Sequence, residues 1–169
     1  MAGGNVPKPL AKAAYLGKSL HRLEFFKMIK VLFVCHGNIC RSPMAEFVMK
    51  DLVKKAGLED QFEIASVGVS SEESGNPVYP PARQQLSAHG ISAKGKYARK
   101  ITQADVEYFE HIFYMDSSNG RYLARMFPGE TKFRPFLSRD VADPWYCGNF
   151  DQTWKDIEEG CIRILNEVK

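Results

Sequence analysis

The spacing of hydrophobic residues changes along the chain between that of buried strands and that of amphipathic helices. Residues 31–34 form an unbroken apolar run, which is typical of a strand buried on both faces. In residues 44–56 the apolar positions recur every three or four residues, as in a helix with one buried face, and Gly57 marks its expected end. The first predicted unit is therefore a strand, a short loop and a helix.

The rest of the chain continues this alternation. Strands are predicted at residues 62–69, 111–115 and 132–135, and helices over residues 80–89, from Thr102, from Asp116 to a break at residues 127–129, and over residues 154–168. Such an alternation favours a parallel sheet covered on both faces, with a functional site at the carboxyl ends of the strands. Trp154 and Cys161 belong to the apolar stripe of the last helix, so we assign them to the core.

The loop between the first strand and the first helix carries the strongest chemical signal. Residues 35–43 read Cys-His-Gly-Asn-Ile-Cys-Arg-Ser-Pro, and we expect Ser42 and Pro43 to be the N-cap and the first residue of the helix. Backbone N–H groups converge at a helix start and its dipole is positive there, which favours a phosphate-sized dianion. These N–H groups and Arg41 also favour the thiolate form of Cys35, which is the nucleophilic form.

Other residues of this loop suit the same chemistry. Arg41 offers a planar fork of donors that matches two phosphate oxygens. Gly37 lets the backbone approach an anion closely, Asn38 tolerates a left-handed conformation, and Ser42 can donate a hydrogen bond to the leaving thiolate. A lone buried cysteine is often only a core residue, but the spacing Cys-x5-Arg-Ser between a strand and a helix favours a nucleophile.

A second candidate segment, Asp143-Pro144-Trp145-Tyr146, lies near the C-terminus. Phosphoryl transfer through a cysteine needs an acid to protonate the leaving oxygen and a base for the later attack of water. Asp143 is the candidate for both roles, because Pro144 pushes its backbone out of helical conformation and fixes the direction of the carboxylate. Trp145 and Tyr146 offer aromatic faces to a phosphoaryl ring. The residues alone leave open an ordinary Asp-Pro surface turn.

Composition and charge narrow the class of protein. With 169 residues and 44% apolar content, the chain can form one domain with a substantial core, and it has no apolar run long enough to span a membrane. The four cysteines lack a paired metal-ligand spacing, so we expect no metal and no cofactor. We also expect a monomer in the reducing cytoplasm, without stable membrane association.

The positive charge is concentrated in residues 1–27, which carry five Lys or Arg and one Glu, a charge of +4 that leaves −1 for the rest. Nothing in the main domain therefore favours nucleic acid as a partner. The simplest interpretation of residues 1–27 is a basic upstream extension or a remnant of cloning; a transit peptide or a membrane-surface helix stays open. We divide the chain into this extension and a catalytic domain of residues 28–169.

At these residues the chain resembles the low-molecular-weight protein tyrosine phosphatase family. The resemblance rests on residues 35–43 with Met44-Ala45-Glu46 behind them and on the late Asp-Pro-aromatic motif, and it extends from about Met28 to the C-terminus. It implies a small four-stranded parallel α/β fold with helices on both faces, of the three-layer, Rossmann-like phosphatase I type. It also implies that the protein hydrolyses phosphotyrosine in tyrosine-phosphorylated proteins or in small aryl phosphates.

The resemblance further assigns expected roles to single residues. Cys35, Arg41 and Asp143 are the expected catalytic residues. The rest of the phosphate-binding loop, a name used here for residues 35–42, is His36, Gly37, Asn38, Ile39, Cys40 and Ser42. Cys40 is the expected redox partner, which forms a reversible disulfide with Cys35 and protects it from over-oxidation. Asn38, Ser42 and Ser66 look like the hydrogen-bond network that supports the loop in the family.

One position departs from the family pattern. The family usually places a His, bonded to the loop Ser, just before an x-Ala-Arg segment, and here Lys96 precedes Tyr97-Ala98-Arg99. Because a Lys cannot accept a hydrogen bond, the support of Ser42 is in doubt. We expect the side chain of His36 to point outward, where it could touch substrate.

Relatives of the same fold leave other substrates to consider. Arsenate reductases of the family use two further cysteines in the middle of the chain, and none lies between Arg41 and Tyr146 here. Arginine phosphatases of the family carry Thr where this chain has Ile39. Ile39 and the pair Trp145 and Tyr146 form an apolar, aromatic substrate pocket that favours phosphotyrosine. A protein arginine phosphatase and a non-catalytic redox or anion-binding module stay open as alternatives.

Overall fold

The computed structural model describes residues 27–169, and there the predicted alternation of strands and helices is confirmed. The strands are β1 (Ile29–Cys35), β2 (Phe62–Gly68), β3 (His111–Tyr114) and β4 (Phe133–Pro135). The helices are α1 (Arg41–Lys55), α2 (Pro80–Ala88), α3 (Gln103–Tyr108), α4 (Ser117–Met126), α5 (Pro144–Cys147) and α6 (Phe150–Val168), with a 3-10 turn at Glu59–Gln61. No periodic pattern predicts α5 or the 3-10 turn, because each is too short to show one.

The predicted N-terminal extension, apart from Lys27, lies outside the described residues. Lys27 itself contacts the domain through an ion pair with Glu110, at 3.0 Å. Within residues 27–169, none of the helices combines the length and the apolar character that crossing a membrane requires.

The four strands form one parallel sheet in the order β2-β1-β3-β4. In this sheet β1 lies between two neighbours, with Cys35 opposite Gly68 of β2 and Val34 opposite Tyr114 of β3. The carboxyl ends of these three strands therefore meet at one edge of the sheet. The phosphate-binding loop leaves the sheet at this edge, as the sequence predicts.

Both faces of the sheet are covered by helices, which confirms the three-layer α/β fold. Val31 and Phe33 point into a core formed with α1, α2 and α6. Leu32 and Val34 point into a second core formed with α3 and α4. All four residues are fully buried, which explains why this strand reads as an unbroken apolar run.

The long helix α6 is fixed to the sheet by close packing. It begins earlier than the apolar stripe alone predicts, because the side chain of Asn149 caps it by accepting a hydrogen bond from the N–H of Gln152. Trp154 and Cys161 lie in the core, as predicted. A Cβ on Gly160 would lie 2.1 Å from the Phe136 ring, so only glycine permits this approach of helix and ring.

The start of α1 differs from the prediction. The helix begins at Arg41 with Cys40 as the N-cap residue, and no side chain caps it. Ser42, predicted as the N-cap, lies inside the first turn, because its hydroxyl is used by the loop: it lies 3.0 Å from Cys35 Sγ. The positive end of α1 is therefore turned toward the phosphate-binding loop without a side-chain cap on its N–H groups.

Candidate active site

The phosphate-binding loop folds back so that one of its own N–H groups reaches the Cys35 side chain. Asn38 has a φ of 61°, the left-handed conformation expected of it, and its N–H donates to Cys35 Sγ at 3.3 Å. Strand β2 lies so close that a Cβ on Gly68 would be 2.6 Å from the carbonyl oxygen of His36. Gly68 therefore permits the tight turn, a role that no signal in the sequence reveals.

Cys35 is surrounded by groups that stabilise a thiolate. Its Sγ contacts the Ser42 hydroxyl and the Asn38 N–H, and the positive end of α1 lies behind it. The second loop cysteine is different: burial raises the pKa of the Cys40 thiol well above its ordinary value, and the negative charges of Cys35 and Asp143 raise it further. Cys40 is therefore held as a neutral thiol, and Cys35 is the nucleophile candidate.

The three residues predicted to support the loop meet in one buried network. Asn38 Nδ2 donates to Ser42 Oγ and to Ser66 Oγ, both at 2.9 Å. Asn38 Oδ1 accepts from the N–H of Arg99 at 3.1 Å. Ser42 Oγ in turn lies 3.2 Å from the carbonyl oxygen of Val67, to which it can donate. Within residues 27–169, every buried polar side-chain atom has a hydrogen-bond partner.

Lys96 does not remove the support of Ser42, which comes instead through Glu46, Ser66 and Asn38. Lys96 Nζ donates to the carbonyl oxygen of Ser66 at 2.8 Å and pairs with Glu46 Oε2 at 3.2 Å. Ser66 Oγ donates to the same carboxylate oxygen at 2.6 Å. The cation therefore supports Ser66, and Asn38 passes that support to Ser42.

Arg41 is buried with its guanidinium between two carboxylates. Its Nη1 donates to Asp116 Oδ2 at 2.6 Å and to the carbonyl oxygen of Val141 at 2.8 Å, and its Nη2 donates to Asp143 Oδ2 at 3.1 Å. Burial by itself lowers the pKa of Arg41, but the negative charges of Cys35, Asp143 and Asp116 together raise it above its ordinary value. The guanidinium is therefore a permanent, fixed cation beside the nucleophile candidate.

Asp143 is the N-cap residue of the short helix α5. Its Oδ1 accepts from the N–H of Trp145 at 3.1 Å, and Pro144 is the first residue of the helix. The prediction that Pro144 holds Asp143 outside helical conformation agrees with its extended backbone, φ −74° and ψ 112°. One carboxylate oxygen caps the helix, while the other reaches Arg41.

A cavity of about 240 Å³ opens above these residues. The residues that line it are Cys35, His36, Gly37, Ile39, Cys40, Arg41, Glu72, Glu73, Asp143, Trp145 and Tyr146. Of the predicted site residues, Asn38 and Ser42 alone lie behind this wall, where they are fully buried. His36 is half-buried and contacts Glu72, with 3.7 Å between Nε2 and Oε2. Trp145 and Tyr146 are exposed at the rim.

Besides Gly68, four residues of this site have roles that the sequence does not predict. Asp116 was recognised only as a helix cap, yet it follows β3 next to β1 and so meets Arg41 at the same edge of the sheet. Tyr79 donates its N–H to the carbonyl oxygen of Ile39, and its ring lies 4.9 Å from the Trp145 ring between centroids. Glu72 and Glu73 come from a loop in which no sequence pattern indicates a role in the site.

Within residues 27–169, no His, Cys, Asp and Glu side chains gather in a group that could hold a metal ion.

The fold and the site first define a class: an α/β protein in which a cysteine and an arginine share one anion-binding loop at the carboxyl edge of a parallel sheet. The model of the low molecular weight phosphotyrosine protein phosphatase family matches residues 30–169. The chain belongs to this family, which confirms the resemblance seen in its sequence.

Individual relatives match this chain over most of their own length. YfkJ of Bacillus subtilis, a low molecular weight protein-tyrosine-phosphatase, is 38% identical over 151 residues, which cover 84% of this chain and 97% of that protein. Its crystal structure covers 84% of this chain and 95% of its own, with a TM-score of 0.81. The low molecular weight phosphotyrosine protein phosphatase of Schizosaccharomyces pombe is 43% identical over 133 residues, 73% of this chain and 85% of that protein.

A structural neighbour that is named for a different specificity is also similar. The crystal structure of a Drosophila arginine phosphatase is 34% identical and covers 83% of this chain and 98% of its own, with a TM-score of 0.73. The same fold thus occurs in proteins named for different phosphorylated side chains, so the fold alone does not identify the substrate.

Proposed function

We propose that this protein is a protein-tyrosine phosphatase that hydrolyses phosphotyrosine in two steps, through a phosphocysteine on Cys35. The observation that carries the proposal is the meeting of Cys35, Arg41 and Asp143 at one cavity. Membership of the low molecular weight phosphotyrosine protein phosphatase family supports the same activity. The reaction needs no cofactor, because nucleophile, cation and acid are all supplied by side chains.

In the first step the Cys35 thiolate attacks phosphorus, and the bond between phosphorus and the tyrosine oxygen breaks. Arg41 and the N–H groups of the phosphate-binding loop hold the remaining phosphate oxygens and stabilise the charge of the transition state. Asp143, in its protonated form, donates its proton to the leaving tyrosine oxygen. The products are a tyrosine side chain and the phosphocysteine.

The ion pair between Arg41 and Asp143 supports this order of events. A phosphate dianion that binds Arg41 competes with the carboxylate, which lies 3.1 Å from the guanidinium. Repulsion between the dianion and the carboxylate favours the protonated acid, which is the form that the first step requires. Substrate binding therefore competes with Asp143 for Arg41 and frees its carboxyl group from the ion pair.

In the second step water replaces the cysteine. Asp143, now a carboxylate, takes a proton from the water whose oxygen attacks phosphorus, and the bond between phosphorus and sulfur breaks. Ser42 Oγ, 3.0 Å from Cys35 Sγ, donates a hydrogen bond to the departing thiolate. Inorganic phosphate leaves and the enzyme returns to its starting form.

The lining of the cavity favours an aromatic leaving group over a guanidinium. Ile39 forms an apolar wall of the cavity, and Trp145 and Tyr146 form an aromatic rim. The Tyr79 ring packs against the Trp145 ring. The substrates we propose are therefore tyrosine-phosphorylated proteins and small aryl phosphates.

We further propose that residues 28–169 act as a cytoplasmic monomer and that residues 1–27 are an extension outside the domain. The family model, which matches residues 30–169, supports this boundary.

We propose that Cys40 protects the nucleophile from oxidation. Peroxide oxidises the Cys35 thiolate to a sulfenic acid, the Cys40 sulfur attacks that sulfur, and water leaves as the disulfide forms. Thiol treatment should restore wild-type activity after a peroxide pulse, whereas Cys40→Ser should lose activity permanently. Equal recovery of both proteins would refute this protective role.

The first experiment is phosphate release, in EDTA, from a phosphotyrosine peptide and a phosphoarginine peptide of matched sequence, with Cys35→Ser as the blank. Faster release from phosphotyrosine supports the proposal. Faster release from phosphoarginine keeps the mechanism and overturns the pocket argument. No release from either peptide would leave a redox or anion-binding module as the better interpretation.

A further inference from the structure

The residue that departs from the family pattern stands at the outer end of a continuous series of buried contacts that ends on the nucleophile. We propose that Lys96 is a positioning residue that sets the hydrogen-bond directions around Cys35. The inference rests on the proposed function, since it concerns the same nucleophile. The contacts run in order through Glu46, Ser66, Asn38 and Ser42.

The outer end of the series is a buried cluster of charges. The side chains of Lys96 and Glu46 are only 12% and 6% exposed. Glu46 Oε2 faces Lys96 Nζ at 3.2 Å, and its Oε1 accepts from Lys50 at 2.7 Å. Each carboxylate oxygen therefore has its own cation, but Lys50 is half-exposed and Lys96 alone also bonds the backbone of Ser66.

The charges determine which group donates at each following contact. An ionised Glu46 accepts only, so the hydroxyl proton of Ser66 must point to its Oε2, 2.6 Å away. The lone pairs of Ser66 Oγ then face Asn38 and accept from its Nδ2 at 2.9 Å. The Asn38 amide is held in one orientation, because its Oδ1 accepts from the N–H of Arg99 on the other side.

The inner end of the series acts on the Cys35 sulfur in two ways. The fixed Asn38 keeps its left-handed backbone, whose N–H donates to Cys35 Sγ at 3.3 Å. Its Nδ2 also donates to Ser42 Oγ, which leaves the one hydroxyl proton of Ser42 free for either the Val67 carbonyl oxygen or the sulfur. That proton is therefore available to the thiolate whenever Cys35 is ionised.

The test compares two lysines of one segment. Lys96→Met removes the cation and keeps much of the side-chain volume; Lys94→Met removes the same charge from an exposed residue two positions away. We expect Lys96→Met to lower kcat for an aryl phosphate by roughly tenfold, with KM changed less than about twofold, because substrate does not touch Lys96. Lys94→Met should change neither constant, and Lys96→Arg should recover part of the loss.

A second readout follows the nucleophile without any phosphatase turnover. Only the thiolate reacts with iodoacetamide, so the rate at which the Cys35 peptide is labelled, followed by mass spectrometry, reports its ionisation. We expect slower labelling in Lys96→Met and wild-type labelling in Lys94→Met. Unchanged kcat and unchanged labelling in a folded Lys96→Met protein would overturn the inference. If the wild-type protein releases no phosphate, the proposed function fails, and the labelling rates still test the role of Lys96.

A double variant separates positioning from general stabilisation of the fold. Ser66→Ala interrupts the series and leaves the pair of Lys96 and Glu46 in place. If Lys96 acts through Ser66, adding Lys96→Met to Ser66→Ala should lower kcat little further. Effects of the two substitutions that multiply fully, measured below both melting temperatures, would contradict positioning and indicate independent losses.

Discussion

The two halves of the active site are held in different ways. In the phosphate-binding loop the exposed fractions of Asn38, Arg41 and Ser42 are 1%, 2% and 0%, whereas Trp145 and Tyr146, beside the proposed acid, are 53% and 85% exposed. The loop is fixed by a buried network of hydrogen bonds, and the segment after Asp143 by a four-residue helix.

This difference separates the task of each half. The buried half presents the proposed nucleophile and the proposed anion-binding donors, which every phosphomonoester substrate needs, and its rigid contacts suit transition-state stabilisation. The exposed half presents the proposed acid and the aromatic rim, which we expect to contact the leaving group and so to depend on the identity of the substrate. We therefore expect changes in the loop to affect all substrates alike and changes in the exposed segment to affect them selectively.

Replacement of the nucleophile should have the largest effect. We expect Cys35→Ser to abolish turnover of every substrate, because a serine hydroxyl stays protonated at neutral pH and is a far weaker nucleophile than a thiolate. Cys147→Ser, at an exposed cysteine beside the acid segment, is the matched control and should keep wild-type phosphate release. Residual turnover by Cys35→Ser on any aryl phosphate would place the nucleophile elsewhere.

Removal of the acid should have a large but selective effect. We expect Asp143→Ala to slow hydrolysis of phenyl phosphate by roughly 10² to 10⁴-fold, the usual contribution of general acid catalysis. Hydrolysis of p-nitrophenyl phosphate should slow much less, because its leaving group needs no proton. Comparable losses on both esters, measured as kcat, would refute the assignment of Asp143 as the acid.

The contrast in burial should appear directly in the free energy of unfolding. Asn38→Ala removes three side-chain hydrogen bonds inside the network, and we expect a loss of about 2–3 kcal/mol in urea denaturation. Trp145→Ala should change stability by less than about 0.5 kcal/mol while raising KM for phosphotyrosine peptides by roughly tenfold. Equal losses of stability would mean that the two halves are equally well anchored.

The smallest effect concerns the outer anchor of the loop, Arg99, whose guanidinium is held by both oxygens of Asp105 at 2.8 Å. Burial alone would raise the pKa of Asp105, but hydrogen bonds from Arg99 and Thr102 hold it below its ordinary value. A carboxyl whose pKa is depressed on folding stabilises the fold above its unfolded pKa of about 3.9, and this stabilisation is lost as the pH falls through the folded value.

We therefore expect Asp105→Asn to lower the free energy of unfolding by about 1 kcal/mol at pH 7, a modest figure because Arg99 is half-exposed. The difference from wild type should shrink as the pH is lowered toward 3. Asp60→Asn, at an exposed residue, serves as the control at each pH. A difference that does not depend on pH would assign the effect to packing rather than to charge.

The sequence predicts the buried half of the site better than the exposed half, for a physical reason. Residues 35–42 are consecutive, and the strand before them and the helix after them have clear hydrophobic periods, so their geometry follows from local rules. The contact of Arg41 with Asp116 joins residues 75 positions apart, and only the register of β1 and β3 brings them together. The contacts of Tyr79 with Trp145 and of Lys96 with Glu46 likewise depend on the packing of loops, whose sequences have no hydrophobic period.

The N-terminus of α1 shows where a correct local rule is overruled. Serine is among the preferred N-cap residues, and Ser42 stands where a cap is expected. The hydroxyl has more favourable partners in Cys35, Asn38 and Val67, so the helix begins two residues earlier and without a side-chain cap. A helix start that has a capping residue in its sequence but no side-chain cap in the structure can therefore itself point to an anion site.

The ion pair of Arg41 and Asp143 means that an anion of the protein itself competes with substrate for Arg41. The Asp143 carboxylate, with one negative charge, already binds one arm of the guanidinium, and an incoming anion must compete with it. A phosphomonoester dianion carries two negative charges and attracts Arg41 more strongly than the Asp143 carboxylate does, whereas a phosphodiester or a carboxylate carries one charge and has no such advantage. From this ion pair we expect dianions to bind the site better than monoanions of similar shape.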